Sequence, residues 1–331
     1  MINASVRLLF SAALLSTIPT LANAGLTPDE VRAYQKAMAL AATDDLNGQY
    51  LLGLCYATGR GVEKNLVVAV ELIRKAAEKG SVHAECALGV HYEHGIGVTK
   101  DLDEAIRWYI KAAAKGDDYA QNRLGDAYLR GEGVPKSHST AMQFYRQSAE
   151  QGNAEAQFNL GNQLCVHDSR QTVTVVGGKV PYKVEIDDLA YFGGSTPSCG
   201  GTFWYRQAAE RGHTKAQCEL GRAYENGHGV AIDHAESAKW YHKAASQGDA
   251  FAQWSLGSLY ARPGTQKDLV QAYAYLSLSL LDKEMTDADI LRYRMKLRSA
   301  LEKEMTDADI LRAEQRTKEL QKEIKTKLAA K

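Results

Sequence analysis

Apolar positions along this chain recur with a helical period, in short blocks separated by glycines. Between residues 84 and 116, Ala84, Leu88 and Tyr92 stand four apart with Gly89 beside them, so they share one face of a first helix. Gly95 and Gly97 then break the pattern, glycine being the residue that takes positive φ without penalty. Asp101 or Asp103 caps a second helix, with Ala105, Trp108, Tyr109, Ala112 and Ala113 as its apolar stripe and Gly116 as its end. The same unit returns along the chain. Gly53, Gly89 and Gly125 are 36 residues apart, as are Gly80, Gly116 and Gly152, and later Gly212 and Gly248. A fixed period of this size with helix–loop–helix content predicts an all-α solenoid of about six repeats. No unit buries its apolar face alone, so stacking supplies the core.

Taken in order, Thr27 and Glu30 form a capping box and Pro28 suits the first helical position, which predicts a capping helix within 25–45. The repeats occupy 46–283. Repeat four is interrupted: Gly89 to Trp108 spans 19 residues, but Gly161 to Trp204 spans 43, so 24 are inserted between its two helices. Within this insertion, about 166–200, Thr172–Val176 and Val180–Ile186 flank Gly177-Gly178 and predict a small β-hairpin, with Tyr182 on its second strand. A loop carrying Tyr191 and Phe192 follows. Repeat six has a loop one residue shorter, with Pro263-Gly264, and its second helix, Ala272 to Leu281, is more apolar, as a helix covered by a cap would be. Residues 284–331 predict C-terminal capping helices and a charged tail that frays after Arg312. There the segment Leu281–Arg292 returns almost unchanged as Leu301–Arg312.

Charge excludes one class of partner. Lys plus Arg and Asp plus Glu both number 40, and this balance gives no basic excess for nucleic acid. Arg7, the apolar run Leu8–Leu15 and Ala22-Asn23-Ala24 read as a secretory signal peptide, residues 1–24. No later stretch is long and apolar enough to predict a membrane span. The expected location is the periplasm, with secretion as the alternative. Export allows disulfides, and five cysteines leave at least one thiol unpaired within the chain. Cys165 and Cys199 bracket the insertion, and a bond between them would stabilise by roughly 3–4 kcal/mol in the chain-entropy model. Cys55–Cys86 is the other pairing considered; sequence alone does not fix the connectivity.

The pattern A-x-x-x-L-G-x-x-Y-x-x-G-x-G-V…A-x-x-W-Y-x-K-A-A-x-x-G resembles the Sel-1-like repeat family, a 36-residue relative of the tetratricopeptide repeat, in an exported bacterial form. The resemblance implies a right-handed superhelix of helix pairs that scaffolds or regulates other proteins and is not an enzyme. It also implies that the residues three before and one after each Leu-Gly glycine point into a concave groove. These are Tyr50 and Leu54, Cys86 and Val90, Asn122 and Asp126, Phe158 and Asn162, Cys218 and Arg222, Trp254 and Ser258. Tyr50, Asn122, Asp126, Phe158, Asn162, Arg222 and Trp254 are the expected partner-binding residues there. Tyr182, Tyr191 and Phe192 join them from the insertion, whose ordering the stack does not require.

No constellation of catalytic residues stands out. The Gly-x-Gly pairs recur at the repeat period and lack the strand and Gly-Lys-Ser/Thr ending of a phosphate loop, so they are turns. His91 and His94 supply two metal ligands where a stable zinc site needs three or four. No serine or cysteine stands in a recognisable nucleophile setting, and no cofactor or metal is expected. The expectation is a protein–protein interaction scaffold or regulator of the bacterial cell envelope. The alternatives are an immunity protein against an envelope-targeting effector, a secreted factor that engages host proteins, and a β-lactam-hydrolysing enzyme of the cysteine-rich repeat type, although the regular cysteine pairs of that type are missing here.

Overall fold

The computed structural model describes residues 27–170, 200–262, 268–281 and 288–330. Among them every regular element is an α-helix, and within each of two compact units consecutive helices pair and stack as a solenoid. The chain divides into two compact units, Met1–Gln151 and Gly152–Lys331.

The first unit opens with α1 (Pro28–Ala42), capped by Thr27 through the expected reciprocal box with Glu30. Three pairs follow: α2 (Leu46–Thr58) with α3 (Leu66–Glu78), α4 (Val82–His94) with α5 (Leu102–Ala114), and α6 (Asp118–Arg130) with α7 (His138–Glu150). Asp101, rather than Asp103, caps α5, its carboxylate accepting the Glu104 N–H at 3.0 Å. The Gly-x-Gly turn has a distinct task for each glycine. Gly95 ends α4 in the left-handed conformation (φ 68°). A Cβ on Gly97 would lie 2.4 Å from the Leu66 carbonyl oxygen, so the turn presses on the start of the preceding second helix.

The glycine of each Leu-Gly pair sits under the second helix of its own repeat. A Cβ on Gly125 would stand 2.5 Å from Cδ1 of Tyr145, a side chain only 1 % exposed. Tyr109, Tyr205 and Tyr241 cover Gly89, Gly161 and Gly221 in the same way; in repeats one and six the covering residues are Ile73 and Leu276. The tyrosine ring fills the space that the missing Cβ leaves, and this closes the core of each pair.

Repeats are tied to one another by a polar ladder. The Gln121 amide donates to the Ala113 carbonyl of the previous repeat at 3.3 Å, and Gln151 donates to Gln121 Oε1 at 2.7 Å. Gln217 and Gln247 repeat the arrangement at 3.0 and 2.8 Å. In repeat two the glutamine is replaced by Glu85, 3 % exposed, and Lys115 answers it at 2.7 Å.

The second unit contains α8 (Ala154–Arg170) and α9 (Gly200–Glu210), α10 (Thr214–Asn226) and α11 (His234–Ala245), then α12 (Ala250–Ala261) and α13 (Leu269–Ser279). Helix α8 continues to Arg170, past the expected start of the insertion near 166. The reason is local: His167 occupies the place of Gly59, Gly95, Gly131 and Gly227, so the left-handed stop is missing. The expected β-hairpin with Tyr182, and the loop with Tyr191 and Phe192, lie outside the described residues; no strand occurs among those described. The Cys55–Cys86 alternative does not hold, since both are free thiols, as is Cys218.

Two further helices, α14 (Ala288–Glu302) and α15 (Asp307–Ala329), complete the unit. The charged tail does not fray after Arg312. Ala313 and Leu320 of α15 are buried, with Ile324 packed beside them. Ile324 and Leu328 reach within 4 Å of where a Cβ on Gly248 would be, and Lys327 donates to Ser246 Oγ at 2.8 Å. Beneath α15, Ala274, Tyr275 and Leu278 are buried, which accounts for the apolar character of the second helix of repeat six.

Candidate partner-binding face

The first helices of the repeats carry the positions assigned to partner binding. Because the Leu and Gly of each first helix face its own second helix, the residue three before the glycine lies on the flank toward the neighbouring repeats. Tyr50 is half-buried and stacks on His83 of the next repeat, ring centroids 6.1 Å apart. Asn122 is buried, at 3 % exposure. Phe158 stacks on His213 at 4.7 Å and packs against Ala208, Ala216 and Leu220. Trp254 packs against a cluster with Ala272, Leu276 and Leu301, with Phe251 at 5.4 Å. Tyr50 and Phe158 therefore join adjacent repeats, and Trp254 joins repeat six to α14, the helix Ala288–Glu302.

In repeats three, four and five the position after the glycine is polar and engaged. Asp126 accepts the Tyr145 hydroxyl at 2.7 Å and Arg123 at 2.8 Å, and Asn162 accepts the Tyr205 hydroxyl at 2.8 Å. Arg222 pairs with Glu219 one turn earlier. Burial alone would raise the Glu93 carboxyl. The Tyr109 hydroxyl, at 2.7 Å, and Arg123 outweigh it and hold Glu93 below the usual carboxylate range. A chain of bonds Tyr109–Glu93–Arg123–Asp126–Tyr145 thus links repeats two and three. For Glu219 the balance reverses: burial outweighs Arg222 and raises its carboxyl.

Sequence reasoning missed two exposed aromatic side chains of the first helices. Tyr119 and Phe251 occupy equivalent places, six before the Leu-Gly glycine, and each is 42 % exposed, as is Leu51. The signal was available, because that place holds Asn47, His83, Tyr119, Glu155, Lys215 and Phe251 and so keeps no repeat consensus.

Chemistry of other kinds finds little support. The His91 ring is buried and its Nδ1 donates to the Ile96 carbonyl at 2.7 Å, fixing the turn. Among the described residues no group of three or more His, Cys, Asp or Glu is placed to hold a metal. No described helix is long and apolar enough to cross a membrane. A hollow of about 330 Å³ between α13 and α15 is lined by Val270, Leu311, Arg312, Arg316 and Glu319, with no nucleophile beside a base.

Comparison with known proteins agrees with the repeat reading. A family model, Sel1 repeat, matches residues 46–81, 82–117, 118–153, 154–172, 201–213, 214–249 and 250–280, the fourth and fifth segments being the halves of the interrupted unit. A Sel1 repeat protein from Oxalobacter formigenes is similar at 28% identity, covering 75% of this chain and 95% of that one, with a TM-score of 0.60. The protein c5321, a protective antigen present in uropathogenic Escherichia coli strains displaying an SLR fold, is similar at 26% identity, with 91% and 69% covered and a TM-score of 0.53. The immunity protein Pa5087 from Pseudomonas aeruginosa shares 20% identity over 83% of each chain, with a TM-score of 0.38. No curated protein matches. With the family model matching well over half of its length in stacked helix pairs, the chain belongs to the Sel1 repeat family.

Proposed function

We propose that this protein is an exported scaffold or regulator of the bacterial cell envelope and not an enzyme. It binds another protein through the face of its first helices, together with the repeat-four insertion. The observation that carries this reading is the exposure of Tyr119 and Phe251, at equivalent places on two first helices. At 42 % exposure each side chain leaves much of its ring open to solvent, and aromatic residues are the usual anchors of protein interfaces. The signal peptide of residues 1–24 directs the chain to the periplasm. A Cys165–Cys199 bond staples the insertion; the free state of Cys55, Cys86 and Cys218 supports it, since it leaves those two cysteines for each other.

Crosslinked capture from envelope extract tests the reading. The mature chain is compared with one lacking Asp168–Ser198 and with the Tyr119→Ala, Phe251→Ala double variant. Both variants are expected to recover a specific partner at least about tenfold less, the loss of one or more interface anchors. Recovery of the same partners in the same amounts by all three chains would remove both the face and the insertion from the proposal.

A further inference from the structure

The outward side of α15 differs from every other charged surface described above. On the second helices of the repeats, cations pair with acids one turn away, as Arg107 does with Glu104 and Lys239 with Glu236. On α15 the acids Glu319 and Glu323 are both taken up by Arg316, at 3.3 and 3.2 Å, on the flank of the helix. Lys318, Lys322 and Lys325 stand four and three residues apart, opposite the buried Ala313 and Leu320 and the partly buried Ile324, and all three are exposed, with one acid, Glu314, exposed a turn before Lys318. Among the described residues none of the three has a carboxylate partner. The helix dipole favours a cation only in the last turn. That accounts for Lys325 at most, since α15 runs on to Ala329, eleven residues beyond Lys318.

We propose that this lysine stripe docks the protein on a bilayer surface bearing anionic lipid headgroups. The geometry favours a membrane over a folded acidic partner. A protein interface needs an anchoring side chain in its centre, whereas the exposed residues from Lys318 to Lys325 are all charged, with no large apolar side chain among them. Lysine is a mobile point charge that meets a phosphate from many directions, and a straight row of such charges matches a plane of headgroups. Attachment is electrostatic and lies on the surface, and it requires nothing of the first-helix face.

Vesicle co-sedimentation tests this with the chain from Gly25 to Lys331, so that the apolar run near the start cannot insert. The probes are vesicles of pure phosphatidylcholine and vesicles with about a third phosphatidylglycerol, at about 0.05 and 0.5 M salt. Binding is expected only to the anionic vesicles and only at low salt. The Lys318→Glu, Lys322→Glu, Lys325→Glu variant is expected to bind about a hundredfold more weakly, since each lysine near an anionic surface contributes about a factor of five. A control variant, Lys64→Glu, Lys100→Glu, Lys136→Glu, reverses three exposed lysines of the first unit and should bind like the parent. Unchanged thermal melting of both variants separates lost docking from lost folding. No binding to anionic vesicles, equal binding to both vesicles, or equal binding by the α15 variant would each overturn the proposal.

Discussion

Replacing Gly125 by alanine is expected to lower the stability of the first unit by about 2–3 kcal/mol, although alanine is the better helix former by about 1 kcal/mol. The new methyl group would meet Tyr145 Cδ1 at 2.5 Å and Cε1 at 2.6 Å. That ring cannot turn away. It is buried, and its hydroxyl is held by Asp126 at 2.7 Å. The same change at Gly53 meets Ile73 Cγ1 at 2.7 Å, part of a fully buried β-branched side chain held to one rotamer by its helix, and the Ala69 carbonyl oxygen at 3.1 Å. Gly53→Ala should therefore cost a comparable amount, as its identical place in the repeat motif implies. Shortening the partner with Tyr145→Leu, as repeat six does with Leu276, should recover part of the Gly125→Ala loss. Urea midpoints of the four variants measure this. Equal or greater stability of Gly125→Ala would contradict the packing described.

Ending the chain at Met305, which removes α15, is expected to destabilise the second unit by about 5 kcal/mol or more. Tyr275 and Leu278, now 3 % and 5 % exposed, would face water along with Ala274, and the burial of Ala313 and Leu320 would be lost. At about 1.5–3 kcal/mol for each large apolar side chain that loses its cover or its place, Tyr275, Leu278 and Leu320 together come to about 4.5–9 kcal/mol, comparable with the whole stability of many domains. The shortened chain should bind a hydrophobic dye and sediment as aggregates, while a chain ending at Lys325 should stay monomeric. If the chain ending at Met305 melted like the full chain, α15 would not be the cover of repeat six.

Much of this fold is legible in the sequence because each signal is local. The Thr27–Glu30 box, the Asp101 cap and the left-handed glycines follow from residue types within a few positions of one another. What escaped depends on pairing between helices. Leu-Gly-x-x-Tyr announces a helix face, but nothing local says that a tyrosine twenty residues later rests on the glycine. The acceptor for that tyrosine shifts from Glu93 and Glu225 in two repeats to Asp126 and Asn162 in two others, so no fixed spacing reveals it. The continuation of α8 to Arg170 was legible, had His167 been weighed against the four glycines in its place. So was the docking of the tail, whose Ala313, Leu320 and Ile324 keep a helical spacing among charges. The face proposed for binding was only half legible. Its inner aromatics Tyr50 and Phe158 pack between repeats and Trp254 packs beneath the C-terminal helices, while Tyr119 and Phe251 stand one turn earlier, where no resemblance pointed.

Each helix pair here leaves one flank to be covered by its neighbours, and cooperation between pairs is what makes the fold. The most direct measurement is the far-UV circular dichroism of the single repeat Val82–Asp117 as a peptide, beside the full mature chain. The stacking account predicts a largely unfolded peptide with no cooperative thermal transition, because Tyr109, Ala112 and Ala113 would lose their cover from Ala120, Leu124 and Ala127 of the next repeat. A peptide that folds by itself, with a sharp melt near that of the full chain, would contradict it.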